Sequence, residues 1–220
     1  MKSCFLVVIA VIACSCPIFA VDYAAWVRTT DRSSNPDIIR LMAEGDLAQA
    51  LDIASALGRR ADPYVADIIA RYLSLYEGGR QYQYERVLLT LLDSVFYRGL
   101  SEEERKRRAD ANKDIIPNVI NECEEFTLPE LRASCIRLAS LSDAAGSGPL
   151  LEREGERIVA RLKRNRGLLD RAETEEFLVI CDAIEKLKSK EFRSLLVDCA
   201  RLSDDRTVVE RARALAAALD

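Results

Sequence analysis

The chain contains no histidine, an absence that removes the side chain that most often shuttles protons near neutral pH, the base of most nucleophile pairs and the principal zinc ligand. Glycine is scarce, with 9 in 220 residues, and forms neither a Walker loop nor a dinucleotide fingerprint. The one glycine pair, in "EGGR" ending at Arg80, lacks the pattern that has to follow it. A positive surplus is missing too: 32 Lys and Arg stand against 36 Asp and Glu, for a net charge of −4 and a pI near 5.2. Such a balance does not neutralise phosphates, so neither nucleic acid nor an anionic membrane surface is an expected partner. Strand signals are almost absent, and past the first twenty residues no apolar run is long enough to cross a bilayer.

What is present is a chain that is 49% apolar and 31% charged, a composition able to bury a real core. Residues 1–20 stand apart from the rest. Lys2 provides a minimal positive start, "FLVVIAVIA" from Phe5 to Ala13 is a short apolar stretch, and "PIFA" ends on small Ala20. The pattern predicts a secretory signal of bacterial type, cut before Val21, followed by a single domain over 21–220 and a periplasmic or secreted location. A lipoprotein signal stays open beside it, because "VIAC" and "ACSC" place Cys14 or Cys16 where a lipid is attached, which would anchor the chain to a membrane. Cysteine parity disfavours Cys14, whose lipidation would strand Cys16 as an exposed thiol.

From Asn35 onward the sequence is a series of helical signals. Asn35 and Pro36 open a first helix with Ile38, Ile39, Leu41 and Met42 on its stripe, and Gly45 stops it. "DLAQALDIASALG" repeats the plan with Leu47, Ala50, Leu51, Ala54 and Leu57 on one face and Gly58 at the end. Asp62 and Pro63 open the next, and further helices are expected over about 81–98, 102–112, 114–126, 129–142, 149–165, 174–187, 190–202 and 205–219. Capping boxes are expected at Ser101 with Glu104 and at Thr127 with Glu130. Short connections make consecutive helices antiparallel neighbours, and the fold class is all-α.

One phrase is written nearly twice, "LRASCIRLASLSD" at 131–143 and "FRSLLVDCARLSD" at 192–204. The likeness extends backward without a gap, keeping Glu124/Glu185, Glu130/Glu191, Arg132/Arg193 and Ala139/Ala200. A recurring helix, turn and helix is the signature of stacked hairpins, none of which can bury its apolar face alone. If the copies point the same way, "RGLLDRAET" has to reverse the chain between them.

"ALGRRADPYVADIIARYL" resembles the junction between units of HEAT-repeat proteins, with Asp62, Pro63, Val65, Ile68, Ile69 and Leu73 in the expected places, and the phrase at 131–143 resembles the second helix of such a unit. "EGDLAQALDIA" is also similar to a tetratricopeptide helix pair through Gly45, Asp46, Ala50 and Leu51, although that family's aromatic residues and 34-residue period are missing. The HEAT-like resemblance implies a short α-solenoid of stacked antiparallel hairpins acting as an interaction scaffold. It transfers no catalytic residue.

Beyond Cys4, Cys14 and Cys16 of the signal region, four cysteines sit at matched positions. Cys123 and Cys135 are equidistant from the turn at 129, and Cys181 and Cys199 from the turn at 190, so at 1.5 Å of rise per residue each pair lies at one height on its two helices. In an oxidising compartment this predicts bridges Cys123–Cys135 and Cys181–Cys199, provided the helices approach closely enough; the alternative is four buried core thiols. The acidic clusters Glu102 to Glu104 and Glu122, Glu124 and Glu125 are read as solvated or dipole-favoured helix positions, and neither a metal nor a cofactor is expected. Interface-forming residues concentrate elsewhere. Tyr64, Tyr72, Tyr76, Tyr82, Tyr84 and Tyr97 crowd one third of the chain. Arg80, Tyr82, Tyr84 and Tyr76 mark a candidate partner-binding corner, with at least one of Tyr82 and Tyr84 exposed because residues two apart on a helix cannot both face inward.

Together these features predict a non-enzymatic exported helical-repeat scaffold that binds a protein or peptide in a bacterial envelope, without catalytic residues. The alternative is a helical enzyme or ligand-binding domain that acts on an envelope polymer through carboxylates.

Overall fold

Apolar residues at helical spacing become helix throughout the described chain. The computed structural model describes residues 27, 35–58, 64–75, 81–142 and 147–219. The expected signal at 1–20, with Cys14 and Cys16, lies outside the described residues, as do Asp62, Pro63, Tyr76 and Arg80. Eleven α-helices are described: α1 Asn35–Glu44, α2 Leu47–Leu57, α3 Tyr64–Leu73, α4 Gln81–Phe96, α5 Glu102–Ala111, α6 Ile116–Glu122, α7 Pro129–Ser142, α8 Ser147–Arg164, α9 Arg171–Leu187, α10 Arg193–Leu202 and α11 Arg206–Ala218. Short 3-10 turns at Cys123–Glu125 and Lys190–Phe192 lead into α7 and α10, and no strand occurs among the described residues.

Local chemistry sets the boundaries. Asp46 starts α2 by accepting the Gln49 amide at 2.9 Å. Ser101 accepts the Glu104 amide at 3.2 Å, but the Glu104 carboxylate turns to Arg107 and Arg108, so the capping box expected there is only half formed. A complete box stands at Asp170 and Glu173, which starts α9 at Arg171, three residues ahead of the expected 174. The helix expected over 114–126 is divided. Pro117 lies in the first turn of α6, which ends at Glu122, and a 3-10 turn takes up the remainder.

Packing arranges the helices in two rows. In one, α2 lies against α4, α4 against α7, α7 against α9 and α9 against α11; in the other, α1 meets α3, α3 meets α6, and α8 meets α10. Helices of the two rows pair as α1 with α2, α3 with α4, α6 with α7, α8 with α9 and α10 with α11. One continuous apolar core runs between them, including Ile53, Leu88, Phe96, Ile136, Phe177, Ile180 and Leu215. Each such side chain contributes roughly 1.5–3 kcal/mol when fully buried. Val65, Ile68, Ile69 and Leu73, the apolar part of the repeat-like junction, are all buried. On α2 the buried face is rotated from the expected one: Ile53 and Ala56 are buried while Leu47 and Leu51 are only half-buried, because α1 and α4 cover the helix from two sides.

α5 departs from the two-row plan. It packs on α4 and α7 and buries a single residue, Ala109. It is secured by Arg108, whose guanidinium donates to the Gly58 and Val95 carbonyls, each at 2.9 Å, at the C-terminal ends of α2 and α4. Those are the ends where orphan carbonyls and the helix dipole favour a cation. Gly58 also lets α2 approach α4, since a Cβ there would collide with Ser94.

The twice-written phrase is used in two ways. In α7 every residue from Leu131 to Ile136 is buried, because other helices surround α7. In the later copy Phe192, Leu196 and Cys199 are buried but Arg193, Ser194 and Val197 are exposed, because only α8 and α11 cover α10 closely. α6 packs on α7 as a hairpin, whereas α9, the counterpart of α6, makes its main contacts with α7, α8 and α11 rather than with α10. Shared helix chemistry has therefore been placed in unlike surroundings. Between the copies the chain reverses at Arg166 and Gly167, both at positive φ (53° and 87°). The Gly167 carbonyl accepts the Asp204 amide at 2.9 Å, tying the end of the second phrase back to that reversal.

Candidate functional site

Three charged side chains from three helices meet where no water reaches. Arg132 of α7 is 1% exposed, and Glu154 of α8 and Glu176 of α9 are fully buried. The Arg132 guanidinium grips Glu176 with two parallel bonds, Nε to Oε1 at 2.7 Å and Nη2 to Oε2 at 3.0 Å. Its Nη1 donates to the Phe126 and Thr127 carbonyls at 2.7 and 3.0 Å, and Nε stands 3.4 Å from Glu154 Oε2. The forked geometry is the strong form of this interaction. Arg161 extends the group by bonding Glu173 at 2.8 Å and approaching Glu176 at 3.6 Å, and Arg157 reaches Glu154 at 3.3 Å. Burial alone would lower the Arg132 guanidinium, but the Glu176 hydrogen bond and the two neighbouring carboxylates hold it above its ordinary value. Burial pushes the Glu154 carboxyl up, and its Oε1 has no hydrogen-bond partner.

A second buried carboxylate shapes the same corner. Glu85, fully buried on α4, accepts the Thr127 amide at 2.8 Å, the Leu128 amide at 2.6 Å and the Thr127 hydroxyl at about 3 Å. The side chain of one helix thus caps the start of another, where the dipole favours an anion and Pro129 has no amide to offer. The Thr127 hydroxyl, expected to cap its own helix with Glu130, donates to Glu85 instead.

The four cysteines are buried thiols. The Cys135 thiol is hydrogen-bonded to Cys123, and that bond together with burial raises it well above its ordinary range. Burial raises Cys181 and pushes Cys199 up to about 12. Cys135, Cys181 and Cys199 are therefore not poised as nucleophiles, because the thiolate is the reactive form.

The tyrosine corner is divided by the fold. Tyr84 points inward and stacks on Tyr72 with centroids 4.8 Å apart and planes within 5°, so its place in an exposed patch is corrected by its burial. Tyr82 is 61% exposed, and beside it Gln83 donates to the Gly45 carbonyl at 3.0 Å. Tyr76 and Arg80 lie outside the described residues.

A larger hollow lies elsewhere, along α8 and α10. It is an open groove of about 780 Å³. Pro149, Val159, Phe192 and Leu195 supply its apolar lining, and Glu152, Glu156, Glu191 and Asp198 its carboxylates, against the single ammonium of Lys163. Gly155 allows the two helices to close at the floor, since a Cβ there would lie 2.6 Å from the Leu195 methyls. A smaller hollow of about 500 Å³, between Tyr97 and Arg105 on one side and Val179 and Lys186 on the other, has mixed charge. Neither hollow is lined by Arg132, Glu154 or Glu176. Among the described residues no three thiols or carboxylates gather to hold a metal ion.

Comparison with protein-family models, with curated proteins and with solved structures finds no match. The reading of the site therefore rests on these side chains. Sequence reasoning missed Glu85, Arg132, Glu154 and Glu176. The available signal was a charged residue inside an otherwise apolar helical stripe, as in "RVLLTLL" after Glu85 and "FLVI" after Glu176.

The direction of the Glu154 shift gives a test. An acid held above its ordinary 4.5 in the folded state contributes stability that is fully present below that value and is lost as pH rises through the folded value. Glu154→Gln keeps the neutral form at every pH. Urea unfolding from pH 4.5 to neutrality should show the parent losing stability relative to this variant, and parallel curves would contradict the assignment.

Proposed function

We propose that the protein is a non-enzymatic helical scaffold whose groove along α8 and α10 receives a segment of a protein or peptide partner. The observation that carries this reading is a division of labour among the charged groups. Buried Arg132, Glu176 and Glu85 are spent on one another and on backbone, while the groove along α8 and α10 is open and lined by carboxylates beside apolar side chains. An enzyme needs convergent groups of shifted pKa inside a pocket, whereas a scaffold presents a surface. The two-row packing supports reading the chain as a short HEAT-like stack with α5 as an added brace. A photoreactive residue at Ser194, in the groove, should give one discrete adduct in the protein's own cells, and one at exposed Lys106 on α5 should not. A partner that attaches at Lys106 and not at Ser194 would overturn the placement.

We also propose that the chain is exported through its first twenty residues, acts in a bacterial envelope and closes its cysteines there. All four cysteines are free thiols in the structure, so both bridges would have to form by oxidation in that compartment. Intact mass without reductant should begin at Val21 and fall about 4 Da below the reduced value, one hydrogen per cysteine. A lipid-bearing mass starting at Cys14 or Cys16 would replace the soluble form by an anchored one, and four titratable thiols in the exported protein would remove the bridges.

A further inference from the structure

The groove along α8 and α10 also indicates the kind of segment that fills it. We infer that its occupant is a cationic amphipathic helix of three to four turns. This rests on the scaffold reading and specifies its partner.

Length comes from the α8 wall. The lining recurs there at helical spacing from Pro149 through Glu152, Glu156 and Ala160 to Lys163, a run of roughly 20 Å at 1.5 Å per residue. A helix of about fourteen residues spans that distance.

The helical form follows from the walls themselves. Helix backbone groups bond within their own helix away from the ends, so the length of the groove offers no strand edge on which an extended peptide could pair its amides and carbonyls. An occupant that leaves water has to satisfy its own backbone, which a helix does. The apolar residues between the charges supply the floor for its apolar face.

Charge fixes the polar face. Glu152, Glu156, Glu191 and Asp198 line the groove against Lys163 alone, and Glu152, Glu156 and Glu191 are exposed. Asp198 also accepts from Arg201 at 2.8 Å, on the outer side of α10. Lysine or arginine flanking an apolar stripe would meet these carboxylates, while acidic segments and anionic lipid surfaces would be repelled. The earlier copy of the phrase has no equivalent surface: Ala133 and Ser134, the counterparts of Ser194 and Leu195, are buried under neighbouring helices. The groove therefore depends on what surrounds α10 and not on the phrase as such.

The test uses the purified protein and three labelled peptides of about fourteen residues: a leucine–lysine amphipathic helix, the leucine–glutamate helix of the same pattern, and a scrambled leucine–lysine peptide. Fluorescence anisotropy reads binding to the parent, to the groove triple Glu152→Lys, Glu156→Lys, Glu191→Lys, and to a remote triple of equal charge change, Glu103→Lys, Asp110→Lys, Asp114→Lys. Only the ordered leucine–lysine helix should bind the parent well. The groove triple should weaken it about tenfold or more, and the remote triple no more than about twofold. Thermal unfolding confirms that each variant is folded, and Glu191→Lys alone, expected to weaken binding about threefold, serves if the groove triple is not. Equal losses in both triples would reduce the effect to net charge and overturn the inference. So would no binding, or equal binding of the scrambled or acidic peptide. A partner cross-linked at Ser194 in cells, with no cationic helix bound in vitro, would leave the scaffold reading standing and remove this one.

Discussion

Arg132 holds the middle of the molecule together. A guanidinium at 1% exposure is tolerated only because two carbonyls and the Glu176 carboxylate take its donors and because it lies beside a second carboxylate, Glu154. Satisfying it requires α7, α8 and α9 to meet at one place and in one register. Apolar packing alone would allow those helices to slide or rotate at modest cost, since cores tolerate many hydrophobic arrangements. A forked ion pair without water does not. The same guanidinium reaches the Phe126 and Thr127 carbonyls, while Glu85 takes the amides of Thr127 and Leu128, so the chain entering α7 is held from both sides. The expected effect of such a network is specification of one arrangement rather than a large net gain in stability.

That constraint separates the interior from the working surface. Central α7 is surrounded and spends its polar groups on structure. Peripheral α10 carries the sister phrase, is covered closely by only two helices, and leaves its remaining side to form a groove with α8. The proposed binding surface therefore lies where the packing ends, one helix away from the buried pair that sets the position of α8. Movement of α8 relative to α9 would disturb both, which links the architecture of the core to the shape of the groove.

The helical class, nearly every helix and much of the apolar face of each could be read from the sequence, because spacing at i, i+3 and i+4 and the caps at Asp46 and Ser101 are local signals. The α7 boundaries agree with the expected 129–142, but its cap was misread because a distant partner intervened. Thr127 has the right residue type for a cap, but Glu85, more than forty residues earlier, takes its hydroxyl. The two copies of the phrase differ in burial for the same reason. Arg132 and Arg193 occupy equivalent places in the text, yet one is buried against Glu176 and the other exposed, a difference decided by what packs around each helix. The candidate groove was not foreseen because its walls come from two stretches, 148–163 and 191–198, that meet only in the fold. Of the tyrosine corner, the rule that residues two apart on a helix cannot both face inward put at least one of Tyr82 and Tyr84 outside, and the structure shows that it is Tyr82.

The most direct test of this account is a double-mutant cycle on the central pair. Stability would be measured by urea unfolding for Arg132→Met, Glu176→Gln and the double variant. A cooperative buried network predicts that each single change costs about 3–5 kcal/mol and that the double costs less than their sum by at least about 1.5 kcal/mol, because the second change no longer leaves a buried charge alone. Losses that add to within about 0.5 kcal/mol would contradict it, and would mean that the helices are positioned by apolar packing without Arg132.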